Sequence, residues 1–152
     1  MFMTVNGFMA LALEQARKSA ELGEVPVGAV VVDGAGGDVL AVGGNRTVEF
    51  DDPTAHAEMV AIRRAASLQG SSRLQGCDLY VTLEPCAMCA GAISLARIRR
   101  LYFGAYDAKG GGVEHGARVF AQATCNHKPE VYGGVSEKAS AELLQAFFKE
   151  RR

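Results

Sequence analysis

The stretch Leu79-Tyr-Val-Thr-Leu-Glu-Pro-Cys-Ala-Met-Cys-Ala-Gly-Ala-Ile93 constrains this chain more than any other. Leu79, Val81 and Leu83 alternate with Tyr80 and Thr82, a pattern that suits a buried strand. Pro85 follows, and a residue without an N–H is tolerated where a helix begins. Cys86 and Cys89 then stand at i and i+3, which puts both sulfurs on one face of the first helical turn. Unpaired N–H groups and the helix dipole favour negative charge there, so thiolates form more readily than on an average loop. Two thiolates at this spacing make half of a zinc site. A redox pair, or two small buried apolar residues, would leave the same pattern.

Asp52-Pro-Thr-Ala-His-Ala-Glu58, upstream, separates these readings. His56 stands at the head of the apolar-periodic segment Met59–Ala66, with Glu58 two residues on. One imidazole and two thiolates give three protein ligands and leave a tetrahedral zinc one open position. Glu58 is near enough in sequence to serve that position without filling it. His-x-Glu followed by Pro-Cys-x-x-Cys is a known signature of zinc-dependent nucleobase deaminases, and this chain matches it at every fixed position.

The similarity extends beyond the signature. Glu24-Val-Pro-Val-Gly-Ala-Val30, Gly44-Asn-Arg46, Asp52–Glu58, Thr82-Leu-Glu-Pro-Cys-Ala-Met-Cys-Ala-Gly91, Phe103-Gly-Ala-Tyr-Asp-Ala-Lys109 and Phe147-Phe-Lys-Glu-Arg-Arg152 resemble, in the same order, segments of the bacterial tRNA adenosine deaminases. The resemblance implies a three-layer α/β/α cytidine-deaminase-like fold around a mixed five-stranded sheet, spanning residues 1–152 as one domain. It implies one zinc per chain on His56, Cys86 and Cys89, with Glu58 as the proton shuttle. Substrate contacts would come from Asn45, Val30, Ala57, Pro85, Asp107 and Lys109, and Phe148 with Arg151 or Arg152 would approach the RNA. The substrate would be wobble adenosine in the anticodon loop of a tRNA, and the enzyme a homodimer with no DNA or membrane partner. The loop Gly110-Gly-Gly-Val-Glu-His-Gly116 is richer in glycine than the family's usual form, which bears on tRNA grip and substrate breadth. Two other readings stay open: a free-base or nucleoside deaminase such as a guanine deaminase, and a non-catalytic zinc-containing RNA-binding subunit.

Independently of the resemblance, 152 residues with 49% hydrophobic and 22% charged side chains suffice for one packed core. No apolar run is long enough to span a bilayer, and the opening Met1–Gly7 lacks the basic n-region of a signal peptide. Nothing in the sequence pairs Cys77 with Cys125, so a reducing cytoplasm is expected. A net charge of −1 gives no general basic surface for nucleic acid, although Arg97, Arg99 and Arg100 cluster, as do Lys149, Arg151 and Arg152.

Periodicity places a helix over Phe8–Leu22, then a strand over Val25–Asp33 turning through Gly34–Gly37 into a second at Asp38–Val42. A helix from about Ala55, a strand from Cys77, a helix from Cys86 and a strand over Arg100–Ala105 complete an α/β alternation. Ser136 is the expected side-chain N-cap of a final helix, and His115 and His127 read as loop or surface histidines. Gly110–Gly112 reads as a flexible turn.

Overall fold

The computed structural model describes residues 3–151. Five strands form one mixed sheet: β1 (Gly28–Asp33), β2 (Val39–Gly44), β3 (Cys77–Leu83), β4 (Arg100–Ala105) and β5 (Glu130–Tyr132), in the spatial order β2-β1-β3-β4-β5. β1 runs antiparallel to both β2 and β3, whereas β3, β4 and β5 are mutually parallel. The helices are α1 (Val5–Glu21), α2 (Ala57–Gln69), α3 (Ala87–Leu95) and α4 (Glu137–Glu150). The expected three-layer arrangement and mixed sheet are therefore present.

Strand parity explains the layers. In β1 and β3, Ala29, Val31, Leu79 and Val81 point to one side of the sheet, where they pack with Ala57 and Ala61 of α2 and Ala90 and Ile93 of α3. Val30, Val32 and Tyr80 point to the other, against Phe8, Met9 and Ala12 of α1. Both faces are covered, so these strands are apolar at nearly every position instead of alternating. On the α1 side Tyr80, Tyr102 and Tyr132 occupy paired positions on neighbouring strands, and their rings stack at 4.4 and 5.0 Å between centroids. α4 covers the same face of β4, with Ser140 lying directly over Gly104.

Two sequence expectations change. Ser136 begins α4, but its backbone is left-handed (φ 54°) and its side chain makes no cap bond. A Ser N-cap normally has an extended backbone, from which its oxygen can reach the helix amides. Gly110–Gly112 is not a free turn, because Gly111 and Gly112 are buried. A Cβ on Gly111 would meet the Glu84 carboxylate, and one on Gly112 the backbone of Ala87 at the start of α3.

Candidate active site

All the segments singled out by motif, Val30 and the chain end excepted, meet at one rim of the sheet. β3 and β4 deliver Glu84–Cys86 and Asp107 past their carboxyl ends, and β2 delivers Asn45 at its own end. The antiparallel β1 starts at this rim, and Gly28 N–H donates to Thr82 Oγ1 at 3.1 Å, pinning it there. A crevice beyond the carboxyl ends of parallel strands, where the sheet order changes direction, is where open α/β sheets bind ligands.

Two helices begin at this rim. His56 is the N-cap residue of α2 and Cys86 that of α3, both with extended backbones and neither using its side chain as a cap. Their side chains are turned instead to each other. His56 Nδ1 lies 3.5 Å from Cys86 Sγ and 3.6 Å from Cys89 Sγ. A tetrahedral centre with Zn–N of about 2.0–2.1 Å and Zn–S of about 2.3 Å spans about 3.6 Å from nitrogen to sulfur, so the donors stand at zinc spacing. The electrostatics agree. Hydrogen bonding from the Cys89 thiol holds Cys86 down to about 4, against burial and helped by His56. Cys89 is pushed strongly upward in turn, by its bond to Cys86 and by burial. Only a cation between them lets both sulfurs ionise together.

Glu58 lies in the first turn of α2, is 4% exposed, and adjoins the three-residue ligand cluster without being one of its donors. Burial pushes its carboxyl up to about 7, its own backbone N–H works against this, and the Cys86 charge adds to it. A carboxyl poised there can take a proton and return it near neutral pH.

Asn45, Ala57, Glu58, His56, Cys86 and Asp107 share the wall of a cavity of about 370 Å³, together with Val25, Val27, Thr47, Leu83, Glu84 and Gly110. Asn45 is held by its backbone N–H to Val27 O (3.1 Å), and its carbonyl accepts from Ser19 Oγ (3.2 Å) and the Arg46 guanidinium (2.9 Å). Its side-chain oxygen accepts from Thr47 N–H at 3.4 Å, which leaves the amide nitrogen without a partner among the described residues. Asn45→Ala is expected to keep the metal and fold while lowering kcat/KM by about 10–100-fold, as loss of a hydrogen bond in a desolvated pocket does. Unchanged kinetics would return Asn45 to the role of a turn residue.

The other expected contacts fall elsewhere. Val30 is fully buried against α1 and does not line the cavity, because strand parity turns it to the opposite face. Pro85 is buried beside the wall without lining the cavity, and its carbonyl accepts from Gly112 N–H at 2.7 Å. Lys109 is exposed outside the cavity, its N–H bonded to Asp107 Oδ1 (3.2 Å), while its neighbour Gly110 lines it. Phe148 is 47% exposed and also outside the cavity. Arg151 lies over the Phe147 ring at 3.5 Å, and Arg152 falls outside the described residues.

Two buried carboxylates at this rim were not foreseen. Glu24 accepts from Val48 and Glu49 N–H groups (3.0 and 2.8 Å) and shapes the loop after Asn45. Glu84 binds the segment after β4, and His115, expected to be a loop histidine, donates its ring Nδ1–H to it at 2.8 Å. The partners of Glu84 lie 23 to 31 residues away, and no local pattern announces them.

Residues 3–105 match the family model described as the cytidine and deoxycytidylate deaminase zinc-binding region. The tRNA-specific adenosine deaminase of Agrobacterium fabrum is 59% identical over 145 residues, 95% of this chain and 94% of that protein. The enzyme of the same name from Rickettsia bellii is 44% identical over 95% of this chain and 99% of its own. A solved structure from work on A-to-I editing by tRNA:A34 deaminases superimposes with a TM-score of 0.87 at 60% identity, covering 90% of this chain and 98% of that one. The fold and donor set thus define a zinc-dependent deaminase. Within that class, the chain belongs to the family of tRNA-specific adenosine deaminases.

Proposed function

We propose that this protein hydrolyses adenosine to inosine at the wobble position of tRNA. The observation that carries the reading is Glu58, buried next to the His56–Cys86–Cys89 cluster on the wall of a cavity that Asn45 and Asp107 also line. An inert RNA-binding subunit would have no use for a carboxyl poised near 7 in that position. Likeness over nearly the whole chain to tRNA-specific enzymes supports this substrate over a free base.

His56, Cys86 and Cys89 are the residues that would hold the zinc. When bound it supplies Lewis acidity that makes water a nucleophile near neutral pH. Glu58 accepts the proton of the attacking water and delivers it to the purine ring nitrogen beside the carbon under attack. It then takes the proton of the newly added hydroxyl and passes it to the amino group, so the carbonyl forms as the C–N bond breaks and ammonia leaves, and water and adenosine become inosine and ammonia. A cavity of about 370 Å³ is of the size that encloses a small ligand and not a duplex, so the base must leave its stack. Single-stranded loops make that inexpensive.

The working form is a homodimer, with all 152 residues as one domain, acting in the cytoplasm. Met88 and Leu95 on the outside of α3, the latter 76% exposed, are apolar side chains that a second subunit would cover. No helix is long and apolar enough to cross a membrane. Inosine should appear in a total tRNA pool incubated with the purified protein, while free guanine, cytosine and adenosine should yield no ammonia. Ammonia from guanine with tRNA untouched would replace this reading with a free-base deaminase, and a monomer by sedimentation would remove the dimer.

A further inference from the structure

The Glu84 side chain is fully buried, yet it neither joins the ligand cluster nor has a part in proton transfer. Its carboxylate is a collecting point for one segment. Oε1 accepts from the Asp107 N–H at 3.1 Å and from the His115 ring at 2.8 Å. Oε2 accepts from the N–H groups of Val113 (3.2 Å), Glu114 (3.0 Å) and His115 (3.2 Å). A carboxylate only accepts, so the His115 Nδ1 carries the proton. Both ends of the 107–115 segment are thereby tied to a single side chain, and what lies between includes Gly110, which with Asp107 forms one wall of the cavity. Gly111 packs against the same carboxylate, where no Cβ would fit.

The chemistry of the site is held separately. His56 and Glu58 belong to α2, and Cys86 and Cys89 to α3. The backbone at position 84 is itself fixed to β4, by Glu84 N–H to Ala105 O at 2.8 Å. Removing the carboxylate would therefore free the Asp107 and Val113–His115 amides and loosen the wall, with Gly112 N–H to Pro85 O (2.7 Å) as a remaining tie, while the metal ligands and the proton shuttle keep their places on α2 and α3.

We infer that Glu84 is a positioning residue for the deaminase reaction, its carboxylate holding the 107–115 segment closed as the substrate-binding wall of the cavity. The inference rests on the proposed function for its substrate, and on the hydrogen bonds alone for the anchoring. A wall that touches substrate equally before and during reaction contributes to binding and not to the chemical step. Its release raises KM and spares kcat.

The test compares Glu84→Ala, Glu84→Gln, His115→Ala and Gly111→Ala with the wild type. Zinc content, amide hydrogen exchange at Asp107 and Val113–His115, and kcat and KM on an anticodon stem-loop RNA are measured. Glu84→Ala should keep its zinc, exchange those amides at least ~10-fold faster, and raise KM ~10-fold or more with kcat within about threefold. Glutamine retains one acceptor oxygen, so Glu84→Gln should lie between alanine and wild type, a graded rescue that simple loss of packing does not give. Gly111→Ala leaves Glu84 intact but forces a methyl against its carboxylate, and should reproduce the alanine variant. His115→Ala removes one donor, from a partly buried ring, and should show the same direction at smaller size. If Glu84→Ala does not fold, the Gly111 and His115 variants decide. Wild-type exchange at those amides, or a fall in kcat at constant KM, would overturn the inference. A wild-type enzyme that leaves the stem-loop unchanged would instead overturn the proposed substrate, while the exchange rates would still decide the anchoring.

Discussion

Glu58→Gln is expected to lower the rate of ammonia release by at least about 10⁴-fold, the upper end of what one general acid–base usually contributes. The same group serves successive transfers here, and glutamine preserves its shape but can neither accept nor return a proton. Zinc content should match the wild type, because Glu58 is not among the three clustered donors. RNA affinity should survive as well, since the cavity walls and loop surfaces are unchanged. The product of this substitution is a folded, metal-loaded, RNA-binding protein without turnover. Appreciable residual deamination would remove Glu58 from its role, and loss of zinc would make it a ligand.

Cys86→Ser and Cys89→Ser are expected to lose most of the bound zinc and to bring deamination down to background. His56 Nδ1 is about equally distant from the two sulfurs (3.5 and 3.6 Å), so neither sulfur is dispensable for a tetrahedral donor set. The same variants report on stability. A ligand that binds only the folded chain stabilises it by about 4 kcal/mol at a thousandfold excess over its dissociation constant. A chelator should accordingly lower the Tm of the wild type by several degrees and leave that of Cys89→Ser unchanged. Full zinc and full activity in both variants would make the ligand assignment wrong.

The fold and the reacting groups could be read in the sequence because local rules govern them. An i, i+3 cysteine pair after a strand, and a histidine opening an amphipathic helix, keep their meaning without knowledge of their neighbours. Strand parity was equally available: Val30 is separated from Ala29 and Val31 by one position, and that position sends it under α1. Its place in a motif outweighed its face, and that produced the error. Other features depend on distant partners. Glu84 and Glu24 sit beside prolines or valines in runs that look purely apolar, and their work is done by loop amides that only the folded chain brings near. The glycines after Lys109 resemble flexible filler until the carboxylate and the start of α3 are seen pressing against them. Ser136 shows the limit of residue preference, since its left-handed backbone carries the hydroxyl away from the helix it precedes.

Thr4 caps α1 in the usual way, its hydroxyl accepting from Gly7 N–H at 3.0 Å, whereas α2 and α3 begin on His56 and Cys86, which do not. Two helix starts have thus given up their caps so that the same two side chains can hold a metal. The arrangement sets thermal robustness and catalysis against each other at two known positions. Aspartate, serine or asparagine in place of His56 or Cys86 would supply about 0.5–2 kcal/mol of capping each, and would destroy the donor set in doing so. Variants selected for heat resistance with zinc withheld should therefore drift toward those residues at positions 56 and 86, and the hardiest of them should be inert.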